Sequence, residues 1–309
     1  MMLRFDNCMK LFLLLLIWMC SFSAYSFNPQ NKPINVIIPF APGGGADSTF
    51  RHIRQYASAN GITMVPTYKP GAEGMIGVTS LHEATPDGYT IGVIPATTIT
   101  LYEIANPFKP VTTITGIRGG IGAYIARLDP TLKTFDDLVR VLRSGTEIKL
   151  GYGAQGQKMM LEQLIEVIPP TTPPLLVPFK GGNPVVLALL GGYIDVAWVP
   201  YIVAQSQVES GKLRLLAVTG NRLDEYPTTP VLNTNYKGWQ EFDGQGISAP
   251  PNVSKEALEF WSTFFNKYLS DAQTKKDFAA TNTPIIQFGP LAFRNIIDRS
   301  KVWIQKQTR

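Results

Sequence analysis

Short apolar runs alternate along this chain with segments whose apolar residues recur every three to four positions. Residues 34–40, INVIIPF, form a run rich in β-branched side chains and predict a buried strand. The turn Ala41-Pro42-Gly43-Gly44-Gly45 follows, and Phe50, Ile53 and Tyr56 then space out a helix over 47–57. Strand 64–68, a glycine-started helix over 71–84 and strand 89–94 continue the alternation. The middle repeats it: helix 135–143 behind Thr134 as N-cap, strand 149–152, helix 158–166, strand 175–178, helix 185–190, and strands 194–198 and 213–218. From Ser254, a second expected N-cap, the chain is mostly helical, over 255–269, 273–280 and 290–307. Such alternation is the pattern of an α/β fold with parallel strands. Two series of it, closed by a helical tail, predict two lobes.

One apolar run breaks the style. Residues 11–20, LFLLLLIWMC, are unbroken, preceded by Arg4 and Lys10 and followed by the small polar stretch 21–26. A bilayer span needs about 20 apolar residues, so the run is short for one. It predicts a secretory signal peptide over 1–26, cleaved after Ser26 or, as second choice, after Ala24. An uncleaved membrane anchor and a lipid-modified Cys20 are the other two readings. Loss of the leader would take away Arg4, Asp6 and Lys10, lowering the formal charge from +5 to +4, and with them Cys8 and Cys20, the only two cysteines. The leader predicts export.

Composition narrows the chemistry. Hydrophobic residues make up 45% of the 309 and charged residues 17%, which suits a packed core and excludes a disordered chain. Two leader cysteines and two histidines, His52 and His82, leave no disulfide scaffold and no Cys/His zinc domain. No metal site and no cofactor are expected.

The glycine turn at 43–45 lies between a predicted strand and a predicted helix. Glycine lets backbone approach a ligand closely, and a helix start offers unpaired N–H groups and a positive dipole end. Together they can hold a carboxylate or phosphate. A tight turn needing positive φ, with Asp47 capping the helix, is the plainer reading and stands beside it. Gly153-Ala154-Gln155-Gly156-Gln157 is a second strand-to-helix glycine turn. Two such loops on two lobes can face each other across a cleft. A dinucleotide fingerprint fails because Ser48 stands where the third glycine belongs, and no G-K-[ST] follows for a P-loop. No G-x-S-x-G elbow occurs, and His82-Glu83 lacks the second histidine of a zinc protease. Enzymatic function is therefore not expected, with an exported hydrolase using His52 or His82 as the outlying alternative. Lysine and arginine form no stripe of the kind that binds nucleic acid.

The ordered motifs resemble a known family. Pro33-Ile34 leading to IIPFAPGGGAD and Arg51, then Lys69-Pro70-Gly71-Ala72-Glu73-Gly74 and Pro86-Asp87-Gly88-Tyr89-Thr90, are similar to the tripartite tricarboxylate transporter receptors, or Bug proteins. Val177-Pro178-Phe179-Lys180-Gly181-Gly182, Gly191-Gly192-Tyr193-Ile194-Asp195 and the stretch 211–219 with Arg222 extend the match. The resemblance implies a two-lobed Venus-flytrap fold of the type II periplasmic-binding-protein kind, and the periplasm as the location of the exported chain. Lobe one would comprise 27–121 plus 247–309, and lobe two 122–246. It implies a monomeric receptor that closes on a small organic acid and delivers it to integral-membrane transporter subunits, with a ligand-sensing accessory protein of a signalling system as the alternative. One carboxylate would be held by the two loops. The expected ligand-binding set is Phe40, Ala41, Pro42, Gly43, Gly44, Gly45 and Asp47 from the first loop, with Ala154, Gln155, Gly156 and Gln157 from the second. Thr97 and Thr98, at a position that often supplies hydroxyls, Gly181 and Trp198 complete it. This chain departs from relatives in the second loop, where Ala154 replaces a glycine, Gln157 a serine and Met160 a histidine. Val199-Pro200 stands where many have an aspartate, which argues against an amino-acid ligand.

Overall fold

The computed structural model describes residues 27–118, 121–220, 222–236, 239, 244–280 and 289–307. The expected leader, 1–26, lies outside them. Two five-stranded sheets organise the chain. The first contains β1 (Ile34–Ile38), β2 (Met64–Tyr68), β3 (Thr90–Pro95), β4 (Thr112–Arg118) and β10 (Gln245–Ala249), in the order β2-β1-β3-β10-β4. The second contains β5 (Gly122–Arg127), β6 (Lys149–Tyr152), β7 (Leu175–Pro178), β8 (Val196–Pro200) and β9 (Leu213–Thr219), in the order β7-β6-β8-β5-β9. Within each sheet one strand runs antiparallel to both its neighbours: β10 against β3 and β4, β5 against β8 and β9. Each is the first strand made after the chain passes from one sheet to the other.

The helices are α1 (Gly45–Ala59), α2 (Met75–His82), α3 (Ala96–Ala105), α4 (Phe135–Ser144), α5 (Gln155–Val167), α6 (Gly182–Leu190), α7 (Tyr201–Glu209), the short α8 (Leu232–Asn235), α9 (Lys255–Ser270), α10 (Ala272–Ala280) and α11 (Pro290–Gln307). Their local chemistry is visible in α4. Thr134 and Asp137 form a capping box, Gly145 ends the helix in the left-handed region, and Phe135, Leu138 and Leu142 turn one stripe into the core. Ser254 caps α9 by accepting the Ala257 N–H. β1 is buried on both faces, which explains its continuous apolar run in place of alternation.

Several expectations are revised. The helix over 71–84 is a three-residue 3-10 turn, Ala72–Gly74, followed by α2; Ala72 and Glu73 sit at φ 45 and 55, a bend no continuous helix can hold. Helices α3 and α7 and strands β4, β5 and β10 are additional elements. β10 starts at Gln245, which pairs with Pro95. The Pro86–Thr90 motif holds the fold together. Gly88, at φ +85, leaves its carbonyl to accept from Trp261 Nε1 at 2.9 Å, and a Cβ there would stand 2.4 Å from the Ala257 Cβ.

The last helix joins the lobes. Phe293, Ile296 and Ile297 of α11 are buried with Ile99 and Tyr102 of α3, whereas Ile304 is buried in the core of the second sheet. Among the described residues no helix is long and apolar enough to cross a membrane, and no group of three His, Cys, Asp or Glu could hold a metal ion.

Candidate functional site

Parallel strands put the helix starts that follow them at one edge of the sheet, and the edges of the two sheets face each other. Between them lies a narrow cavity of about 40 Å³, lined by Phe40, Gly44, Gly45, Ala46, Pro95, Thr97, Ala154, Gly156, Gln157, Gly181, Gly182, Trp198, Pro200 and Gln245. The lobes touch around it. The Ala41 N–H donates to the Lys180 carbonyl at 3.3 Å across the cleft, and Gly181 lies against Phe40. Gly181 is at φ +121, a conformation that leaves the following helix start bare toward the cavity.

Five helices begin at this wall. Their N-cap residues are Gly44 for α1, Pro95 for α3, Ala154 for α5, Gly181 for α6 and Pro200 for α7. None of the five side chains caps its helix. Away from the wall, α4 and α9 are capped by Thr134 and Ser254, while α2 and α8 also start without a side-chain cap. Each bare start carries about +0.5 elementary charge and N–H groups without intrahelical partners. No lining side chain is charged. Any pull this wall can exert on an anion comes from backbone dipoles, with no cationic side chain on it.

The two glycine loops are built alike. In the first, the Gly43 N–H donates to Asp47 Oδ2 at 2.8 Å; in the second, the Gly153 N–H donates to Gln157 Oε1 at 2.6 Å. In both, the side chain four residues on folds back to fix the loop. Asp47 is buried and also accepts from Tyr68 Oη at 2.7 Å and Arg51 Nε at 3.0 Å. Burial pushes its carboxyl up, but the bonds from Gly43, Tyr68 and Arg51, together with the Arg51 charge, outweigh that and hold it below the ordinary carboxylate value. Asp47 thus shapes the loop and stands off the cavity.

Of the expected set, Phe40, Gly44, Gly45, Thr97, Ala154, Gly156, Gln157, Gly181 and Trp198 meet on the wall; Ala41, Pro42, Gly43, Asp47, Thr98 and Gln155 do not line it. Thr98 is fully buried beside Phe40 and Gly74. Met160 belongs to the core of the second lobe. His52 stacks near Phe278, and His82 faces the Pro110 carbonyl; neither reaches the cavity. Ala46, Pro95, Gly182, Pro200 and Gln245 were missed. For Ala46 and Gly182 the signal was adjacency to a glycine loop. Pro95 and Pro200 end strands whose following helices carry little local helix signal.

The description of the tripartite tricarboxylate transporter family receptor matches residues 50–283. The chain belongs to this receptor family. The receptor is 25% identical to Protein BugT of Bordetella pertussis over 277 residues, 82% of each chain. It is 27% identical over 267 residues to a protein of the gbd 5'region of Cupriavidus necator, covering 81% of this chain and 78% of that one. Its fold superposes on the periplasmic binding protein BugD with a TM-score of 0.80 at 24% identity, covering 89% of this chain and 97% of that one. It superposes on MatC from Rhodopseudomonas palustris with bound malate at 0.77 and 19%, covering 87% and 97%, and on an R. palustris protein with adipate at 0.79 and 17%, covering 89% and 95%. These likenesses show the two-lobed Venus-flytrap fold of periplasmic solute-binding proteins. By family and fold this is such a receptor.

Proposed function

We propose that this receptor captures a small carboxylate between its lobes and delivers it to the membrane subunits of a tripartite tricarboxylate-type transporter. The observation that carries the reading is the meeting of five helix starts without side-chain caps on a wall free of charged side chains. Malate and adipate in two structural neighbours agree with it. Capture works by closure: a ligand touching both lobes favours the closed arrangement by its differential affinity. The receptor acts as a monomer after export, with 1–26 as its signal peptide. Its lobes divide at about the two chain crossings, and it performs no covalent chemistry.

A thermal-shift and calorimetric screen of di- and tricarboxylates, aromatic acids and amino acids tests this. Binding of at least one carboxylate is expected, and Gly44→Val should abolish it. Gly44 has φ −82 and ψ 177, which valine adopts freely, so the variant fills the cavity without straining the turn. Unchanged binding by Gly44→Val, or no carboxylate bound by the unaltered receptor, would overturn the proposal.

A further inference from the structure

Gln245 opens β10, the antiparallel strand of the first sheet, so its beginning lies where β1 and β3 end. It is only 5% exposed and stands on the cavity wall. The Thr49 hydroxyl lies 2.9 Å from its Oε1 and 3.1 Å from the Gly45 carbonyl, its single proton shared between the two acceptors. The amide Nε2 stands on the cavity side, 3.1 Å from where a Cβ on Gly45 would stand. Gln157, from the other lobe, is oriented by a backbone donor. The Gly153 N–H can only donate, so Gln157 Oε1 is fixed toward it at 2.6 Å. Its Nε2 then lies on the side of Gly182.

Two amide NH2 groups, one per lobe, therefore face one cavity whose remaining side-chain polar group is the Thr97 hydroxyl, with Trp198 Nε1 turned away to Thr219. The wall offers donors and positive helix ends, and its side chains include no carboxylate. Phe40, Trp198, Pro95 and Pro200 supply flat apolar surface between them.

We infer that Gln245 is a specificity-determining residue, paired with Gln157, and that the two amides select acids that carry no ammonium group: aliphatic or aromatic mono- and dicarboxylates with an apolar body. The inference rests on the carboxylate reading above and goes beyond it. An ammonium in this cavity would bring more donors to a wall of donors. Each N–H left without an acceptor there weakens binding, and the charge meets positive helix ends. A carboxylate meets its complement on every side.

Matched acids that differ only in the α-ammonium test it: succinate against aspartate, and glutarate against glutamate, titrated calorimetrically into the receptor. One or more ammonium-free acids should bind, with the amino partner at least about 100-fold weaker. Gln245→Met keeps the length and loses the donor; it should weaken the acid by about 10-fold at an unchanged melting temperature. Gln245→Glu adds an acceptor in the same shape and should shrink the discrimination to less than about 10-fold. The inference is overturned if the amino acid binds the unaltered receptor within tenfold of its partner, or if both variants leave the ratio unmoved. Binding of amino acids alone would defeat it while sparing the carboxylate reading; binding of neither would defeat both.

Discussion

Arg294 grips Glu103 with a two-pronged fork, Nη1 to Oε1 at 2.7 Å and Nη2 to Oε2 at 2.6 Å. Glu103 sits in the last turn of α3, and Arg294 in the first turns of α11. The same α3 places Thr97 on the cavity wall. The Thr100 hydroxyl, shared between the Ala96 carbonyl at 2.9 Å and the Ile297 carbonyl at 3.0 Å, adds a second tie between the two helices. The pair thus anchors a helix whose other end faces the ligand. Hydrogen bonds donated to Glu103, with its charge and that of Asp298, outweigh burial and hold the Arg294 guanidinium more firmly protonated than usual.

Arg294→Ala leaves a nearly buried carboxylate without its partner. We expect it to destabilise the fold by about 2–4 kcal/mol, less than a wholly buried pair because Arg294 is partly exposed. Arg294→Lys should recover only part, because an ammonium cannot make both bonds in parallel. Chemical denaturation of the two variants gives the comparison, and equal stability of Ala, Lys and parent would refute it.

Asp47 predicts a pH dependence. Its folded-state pKa lies below the ordinary value, so its contribution is complete above the unfolded pKa of about 3.9 and disappears as pH falls through the folded value. Asp47→Asn should lower stability at pH 7 by about 1–2 kcal/mol. The gap to the parent should narrow below about pH 4, because the parent then loses the same charge. A gap that stays constant down to the acid transition would show that the carboxylate charge is not what fixes the loop.

Gly156 faces Thr97 across the cleft, and a Cβ there would stand 2.8 Å from Thr97 Oγ1. Gly156→Val should prop the lobes apart while leaving each core intact. The expected signature is a larger radius of gyration by small-angle scattering, which added ligand fails to reduce. Stability should change by less than about 1 kcal/mol. Scattering identical to the parent's would mean that the contact does not limit closure.

Gly88→Ala strains a left-handed residue and drives its Cβ to within 2.4 Å of Ala257 and 2.7 Å of the Phe27 ring. A loss of about 2–4 kcal/mol is expected, read as a fall in melting temperature with the cavity untouched. Ligand affinity measured well below the melting range should stay at the parent value.

The alternation of short apolar runs and periodic segments made both lobes legible, because β1 and the helices behind it are specified locally. The glycine loops were legible for the same reason. Helix α3 was not: in Ala96-Thr97-Thr98-Ile99-Thr100 every residue after Ala96 is β-branched, and the stretch reads as extended chain. It is helical because all five residues are buried. Tertiary packing also hid α7, which opens Tyr201-Ile202-Val203. Gln245 was hidden by direction. Strand-then-loop reasoning looks for ligand contacts where strands end, and β10 brings its beginning to that edge. Asp47 was visible as polar in a glycine loop, but only the fold shows its carboxylate turned back to Gly43, Tyr68 and Arg51.

The placement of β10 has a consequence for the order of assembly during synthesis. It occupies an interior lane of the first sheet, between β3 and β4. Those two strands are made by residue 118, yet the lane between them stays empty until residue 249 has emerged. The second sheet draws all its strands from the continuous stretch 122–219. It can finish while the first is still split, and α11, which covers α3, is made last of all. The sheet that begins the polypeptide is therefore the later one to complete, and a nascent chain halted before residue 245 would carry one sheet with all its strands, its core still lacking Ile304, and one open sheet.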